Sequence, residues 1–330
     1  MPTPDRSAQI ETLCGYVTEH YVFPDVAEQV VAVLRKQAAG GRYADLAGDE
    51  AFAAAVTEDL QAVNGDKHLR LLYSVDPVPE TEEFDLDRYR TEVELNAGGF
   101  TRVERLPGNV GYLDNRGLYA AQLAGPAATA ALSLVAHTDA LIIDLRRCPG
   151  GDPAQVALIC SYLFEDPTHL NDIYSRTTGE TTQYWTLPYV PGEKFGGEKP
   201  IWVLTSGFTF SGAEELAYNL QTRGRATIVG ERTRGGAHPG GRHRVDVHLN
   251  AAVPSGRAIN PVTGTNWEGT GVTPDIELPA DAAYHRAYRL ALEHVLTLDA
   301  TGPRRGIADE AREALADVTD VTDVTDVTAG

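Results

Sequence analysis

Apolar positions recur at helical spacing through the first quarter of the chain. Val26, Val30, Val33 and Leu34 form one stripe, and Phe52, Ala55, Val56, Leu60 and Val63 form another. The pattern predicts an N-terminal helical domain over residues 1–75. A polar stretch follows from Asp76 to about residue 99, with Pro77, Pro79 and an acidic run from Glu80 to Asp87, and it reads as an acidic linker.

Beyond residue 100 the texture changes to alternating strands and helices. Val110 to Leu113 is a short strand candidate, and Ala140 to Leu145 is the nearly continuous apolar run of a buried strand. Ile201 to Thr205 and Ala226 to Val229 repeat that signal. Ala124 to Ala136, Pro153 to Phe164, Ser211 to Thr222 and Ala283 to Leu298 read as helices, and Arg244 to His248 as an edge strand or hairpin. Such alternation implies right-handed crossovers. The expected fold class is α/β (α+β): the helical domain, then a mostly parallel β-sheet core with flanking helices over residues 100–300. The last segment, 301–330, contains Asp-Val-Thr four times in succession and is expected to be a disordered, low-complexity tail.

Composition narrows the function. The formal net charge of −19 argues against a nucleic-acid partner, which needs clustered Lys and Arg. No apolar run is long enough for a membrane span, and Met1 to Glu11 is polar, unlike a secretory leader. A cytoplasmic location is therefore expected. Cys14, Cys148 and Cys160 are scattered, which suggests neither a disulfide framework nor a zinc site. His238, His243 and His248 recur every five residues, a spacing that matches no familiar metal motif. No metal and no cofactor are expected.

Candidate chemistry centres on Ser211. The segment from Ile201 to Thr222 reads strand, sharp turn, helix, with Ser211 at the helix N-cap and Glu214 three residues on. That spacing also describes a capping box, in which both side chains serve the backbone. Gly207 and Gly212 keep the backbone accessible, and the helix N-terminus would stabilise an oxyanion. A second glycine element, Gly150–Gly151, follows the strand ending near Leu145. It is either a source of N–H donors or a plain strand-to-helix turn capped by Asp152. A serine needs a base. His68 lies in Asn64-Gly65-Asp66-Lys67-His68-Leu69, and His238 in a glycine-rich loop. Glu268, between Trp267 and Gly269, would orient an imidazole or serve as a turn residue.

Together these pieces resemble peptidase family S41, the tail-specific or carboxyl-terminal processing proteases. The closest likeness is to the branch with the tricorn protease core and interphotoreceptor retinoid-binding protein modules. The resemblance is carried by Tyr21-Val22-Phe23-Pro24, Asp66-Lys67-His68-Leu69, Pro107 to Leu113, Leu141 to Gly151, Thr205 to Leu220, Val229 to Pro239 and Asn266 to Asp275.

It implies a ClpP/crotonase-like fold and a serine peptidase acting on a peptide or protein substrate. Ser211 matches the nucleophile, and the backbones of Gly212, Gly150 and Gly151 match the oxyanion donors. His68 matches the general base and Glu268 the distal acid. The processing branch has a basic lysine in Thr-Phe-Gly-Lys-Gly; here the run is Thr233-Arg234-Gly235-Gly236-Ala237-His238, so that lysine is missing. The serine before the tricorn-like histidine is replaced by Lys67, leaving Asp66, Lys67 or His238 to orient the site. No separate tail-binding module fits between Ser74 and Phe100. The alternative is a non-catalytic binding protein for a hydrophobic small molecule, which the retinoid-binding members exemplify. Oligomeric state is not encoded in any of these signals.

Overall fold

The computed structural model describes the backbone of residues 6–80 and 85–326. The chain opens with helices α1 (Arg6–His20), α2 (Pro24–Ala39) and α3 (Gly48–Gln61), strand β1 (Arg70–Tyr73) and helix α4 (Leu86–Leu95). Strands β2 (Phe100–Leu106) and β3 (Val110–Asn115) lead to α5 (Ala121–Val135), β4 (Ala140–Asp144) and α6 (Pro153–Ser161). Next come β5 (His169–Ser175), β6 (Thr181–Trp185), β7 (Ile201–Thr205), α7 (Gly212–Thr222) and β8 (Thr227–Gly230). Strands β9 (Gly240–Asp246), β10 (Leu249–Pro254), β11 (Gly256–Ile259) and β12 (Ile276–Glu277) precede α8 (Ala283–Val295) and α9 (Arg304–Asp326).

These elements form two compact units. The first comprises Met1–Asp85, Asp172–Gln183 and Gly236–Ile259; the second holds Leu86–Asn171, Tyr184–Gly235 and Asn260–Gly330. The first unit is thus wider than the expected 1–75, because two later segments return to it. A helical layer alone would leave its apolar stripe wet. Ile10, Leu13, Cys14 and Val17 on α1, Val30 and Leu34 on α2, and Phe52, Val56 and Leu60 on α3 are buried together with Leu71, Leu249, Ala251 and Val253 of an antiparallel sheet ordered β1-β10-β9. Pro24, whose ring suits the first helical position, starts α2.

The second unit is built on a six-stranded sheet ordered β12-β8-β7-β4-β3-β2. All its pairings are parallel except β2 with β3, so the sheet is mixed but mostly parallel. Strands β3, β4 and β7 are buried along their whole length, which explains their unbroken apolar runs. Tyr112, Ile142, Trp202, Leu204 and Val229 pack with Ala287, Ala291 and Leu292 of α8. By strand alternation Leu141, Ile143 and Val203 face the other side, where α5 lies on β2 and β3 and α7 on β8.

Two segments depart from expectation. Within the acidic linker, α4 forms and buries Val93, and the Tyr89 hydroxyl accepts a hydrogen bond from the Ala120 N–H at 2.9 Å. Residues 81–84 of that linker lie outside the described residues, as do 327–330. The tail expected to be disordered runs as α9, with Ala308, Ala311 and Val318 buried and Ile307, Ala314 and Leu315 packed on the α8 core. These apolar positions recur every three or four residues, an amphipathic stripe that the Asp-Val-Thr repeat obscures.

Candidate active site

In the second unit, β4, β7 and β8 end side by side, and the loops that follow gather at their carboxyl edge. The loops after β4 and β7 are stitched together. Ser206 Oγ donates to the Arg146 carbonyl at 2.6 Å, Thr209 Oγ1 to the Leu145 carbonyl at 2.9 Å, and the Phe210 N–H to the Cys148 carbonyl at 3.2 Å. This places Ser211 against the glycine pair.

Ser211 sits at the N-cap of α7 with φ 53° and ψ −124°. A non-glycine residue in that region costs of order 1–3 kcal/mol and persists only where its surroundings hold it. Glu214 does so: its Oε2 accepts the Ser211 N–H at 2.8 Å. Its Oε1 accepts Thr233 Oγ1 at 2.5 Å and the Gly235 N–H at 2.6 Å. Thr233 Oγ1 in turn accepts the Val272 N–H at 2.6 Å, which directs the hydroxyl proton to Glu214. The capping-box spacing is therefore occupied, and the same carboxyl ties the helix start to the loop after β8.

The glycines are required by contact. A Cβ on Gly150 (φ 100°) would lie 2.6 Å from the Gly212 nitrogen and 2.8 Å from Ser211 Cβ. One on Gly151 (φ 144°) would lie 1.9 Å from the Leu118 carbonyl oxygen. Leu118 flanks the loop by donating to the Gly150 carbonyl at 3.0 Å and accepting the Asp152 N–H at 2.6 Å. Asp152 caps α6, accepting the Ala154 N–H at 2.6 Å. The expected oxyanion donors, Gly212 and the Gly150–Gly151 pair, thus share one small volume with Ser211. Cys148 beside them is no rival nucleophile, since burial pushes its thiol up to about 12 despite the Gly150 N–H.

Glu268 lies in the turn 266–271 of the same unit, its N–H donating to Asn266 Oδ1 at 2.9 Å. The turn rests on the loop after β8: the Gly269 N–H donates to the Gly235 carbonyl at 3.3 Å, and a Cβ on Gly271 would lie 2.2 Å from the Thr233 carbonyl oxygen. Glu268 is thus one loop removed from the Glu214 network.

The first unit holds the other predicted residues. Asp66, Lys67 and His68 form a turn after α3 in which the His68 N–H donates to Asp66 Oδ1 at 3.0 Å. Asp66 Oδ2 accepts the Tyr21 hydroxyl at 2.9 Å and stands 2.8 Å from His238 Nδ1. A carboxylate only accepts, so Nδ1 carries the proton. Asn64 Nδ2 donates to the Tyr21 hydroxyl at 2.6 Å. Asp66 is fully buried, which by itself raises its pKa. The His238 hydrogen bond and charge, the Tyr21 hydroxyl and the His68 N–H together outweigh burial and hold the carboxyl below its ordinary value. His68 and Lys67 are half-buried.

Two features were not legible beforehand. The Asp66–His238 pair spans 172 positions, and only the shared glycine-loop setting of His238 hinted at it. Glu215, buried beside Glu214, was passed over. Its signal is an acid at position 215 and an amide at 219, both on a helix face otherwise filled by Leu216 and Leu220.

A model of peptidase family S41 matches residues 109–278, and a model of the N-terminal domain of peptidase S41 in eukaryotic IRBP matches residues 5–96. The fold is similar to that of the photosystem II D1 C-terminal processing protease, at 16% identity and a TM-score of 0.50 over 85% of this chain and 95% of that one. It is also similar to a lipoprotein from Streptococcus agalactiae (13% identity, TM-score 0.55, 89% of this chain and 98% of that one). For the tricorn protease the values are 12% identity and a TM-score of 0.51, over 94% of this chain and 36% of that one. Among the described residues, no helix is long and apolar enough to cross a membrane.

Proposed function

From the chain's membership of peptidase family S41, shown by the family model's match to residues 109–278, we propose that it is a serine peptidase with Ser211 as nucleophile. The observation that carries the reading is the strained Ser211 corner, held at a helix N-terminus against Gly150, Gly151 and Gly212. Such a corner exposes a hydroxyl beside convergent backbone donors.

His68 is assigned the base by its sequence motif. It takes the Ser211 proton as Oγ bonds to the peptide carbonyl carbon, and the oxyanion is met by the N–H groups of Gly212 and the Gly150–Gly151 loop. The C–N bond then breaks, with the proton passing to the leaving amine, and water, deprotonated by the same histidine, releases the acyl group. Glu268 serves as the distal acid. Asp66, Lys67 and His238 position His68, with Asp66 holding its backbone N–H. Peptides or proteins are the substrates.

A mixed peptide library read by mass spectrometry tests this. Wild type is expected to cleave, Ser211→Ala to lose about 10⁴-fold or more while folding normally, and His68→Ala to lose a comparable factor. Cleavage by Ser211→Ala at the wild-type rate overturns the assignment. Lys67, where the tricorn-like branch has serine, favours the second reading, a binding protein for a hydrophobic small molecule. Saturable binding of such a ligand without any cleavage would support that one instead.

A further inference from the structure

The six-stranded sheet of the second unit carries another feature at its carboxyl edge, where β3 ends beside the start of β2 (Phe100 opposite Asn115). A cavity of about 320 Å³ opens there, walled by Leu95, Phe100 and Tyr119, with Ala97 and Gly99 in the backbone between α4 and β2. Arg116 also lines it. Such a volume lies at the small end of ligand pockets, about 300–1,000 Å³, and suits one side chain better than a cofactor. The lining is held in uncommon geometry. Ala97 has φ 49°, a region rare without glycine. A Cβ on Gly99 (φ 96°) would lie 1.9 Å from the Gly117 carbonyl oxygen.

The donors at this cavity are matched to an anion. Arg116 Nη2 donates to Asp114 Oδ2 at 2.9 Å, and its Nε stands 3.3 and 3.2 Å from the two carboxylate oxygens. Arg147 Nη2 donates to the same Oδ2 at 3.1 Å. Two guanidinium groups thus share one buried carboxylate, which leaves one positive charge in a chain of net charge −19. Arg116 Nη1 takes no part in the pair. Asn115 Nδ2, 3.5 Å from the place of a Gly99 Cβ, is buried without a hydrogen-bond partner among the described residues. Burial, then the charge of Glu92, raises the Tyr119 hydroxyl, so it stays protonated and serves as a donor. Glu92 itself is solvent-exposed on α4 and does not line the cavity. Apolar walls with a guanidinium and a phenol suit a carboxylate carried on an apolar stem.

The cavity shares its edge of the sheet with the nucleophile. Strands β3 and β2 stand two and three places from β7, after which Ser211 follows; at ~4.8 Å per strand this is about 10–14 Å. An extended peptide covers that span with about three or four residues. The loop between them joins both ends: the Arg116 N–H donates to the Gly99 carbonyl at 2.8 Å, and the Leu118 N–H to the Gly150 carbonyl at 3.0 Å. We propose that this cavity is a substrate subsite for an acidic side chain about three or four residues from the scissile bond, with Arg116 and Tyr119 as its specificity-determining residues. The inference rests on the serine-peptidase reading of Ser211 and names its substrate class, acidic peptides.

The test is cleavage of a mixed peptide library by wild type, Arg116→Gln, Tyr119→Phe and Arg147→Gln, with residue preferences scored on both sides of each cut. Wild type is expected to favour Asp or Glu over Asn or Gln by about 10–100-fold at one position about three or four residues from the scissile bond. Arg116→Gln should lose that preference, while Arg147, still on Asp114, keeps the buried carboxylate paired. Tyr119→Phe should weaken it by about three- to tenfold. Arg147→Gln removes the same charge from the same carboxylate but does not line the cavity, and should keep the preference. An equal loss in Arg147→Gln, a preference undiminished in Arg116→Gln, or cleavage with no acidic preference overturns the subsite alone. Cuts confined to a fixed distance from a free carboxyl terminus, and abolished by amidation, would give the cavity to a chain end and overturn the side-chain assignment. Absence of cleavage by wild type overturns the peptidase reading itself, and this inference with it.

Discussion

Asp66 in the first unit and Glu215 in the second are both almost without solvent contact, yet their acidities move in opposite directions. Asp66 receives the His238 ring, the Tyr21 hydroxyl and the His68 N–H, and it stays acidic although burial opposes it. Glu215 has amides as neighbours and Asp152 as a second acid, and it is pushed up to about 8. Burial sets the cost of charge at both sites; the donors aimed at the carboxyl decide whether the charge is kept. Glu214, one residue from Glu215, collects three donors, the Ser211 N–H at the helix start and Thr233 Oγ1 and the Gly235 N–H from the loop after β8. The second unit thus holds both kinds of environment on a single helix.

The sharpest way to break the comparison is to remove the better-served carboxyl. Asp66→Ala leaves the His238 ring and Tyr21 hydroxyl facing a buried gap, and about 3–5 kcal/mol of stability should be lost in urea denaturation. A loss below about 1 kcal/mol would mean that the three donors do not define this site. Glu215→Gln should act in the opposite sense. The folded carboxyl holds its proton to about pH 8, whereas the unfolded chain releases it near the ordinary carboxylate value. The stability due to this group is therefore complete at low pH and declines as pH rises through that interval. The amide variant escapes the decline, so at pH 8 it should be more stable than wild type, by on the order of 2 kcal/mol. The gap should shrink towards pH 5; a gap independent of pH would contradict the assignment.

At the acid end the sign reverses. Asp66 is depressed, so its contribution is present above the ordinary carboxylate range and disappears only as pH falls through its lowered value. Asp66→Asn should flatten the acid limb of a stability–pH curve and leave the alkaline limb unchanged. The smallest effect is expected for Tyr21→Phe, which removes one of the donors to Asp66 and should cost about 1 kcal/mol.

Much of this architecture was readable from the chain, and the unread parts share a cause. Strand β7, helix α7 and the N-cap position of Ser211 follow from an apolar run, a small-residue turn and a helical period, all within 22 residues. The Gly150–Gly151 pair was visible as a turn. That neither residue tolerates a Cβ depends on Gly212 and Leu118, which are distant in sequence. The Asp66–His238 pair was illegible as a pair for the same reason, and so was the return of residues 172–183 and 236–259 to the first unit. Local composition misled at the C-terminus. The Asp-Val-Thr repeat reads as low complexity, but Ala308, Ala311, Leu315 and Val318 keep a helical period that finds α8 to pack on. Glu215 was missed because an acid early in a helix ordinarily complements the dipole from the solvent side. Only the packing of α6 against α7 places this one inside.

The central claim is that Ser211 is the nucleophile, and the most direct measurement is to locate a fluorophosphonate adduct by peptide mapping after labelling near neutral pH. A single adduct on Ser211, lost in Ser211→Ala and strongly reduced in His68→Ala, is the result expected. Labelling of a different serine, such as Ser206, or undiminished labelling of Ser211→Ala would contradict it.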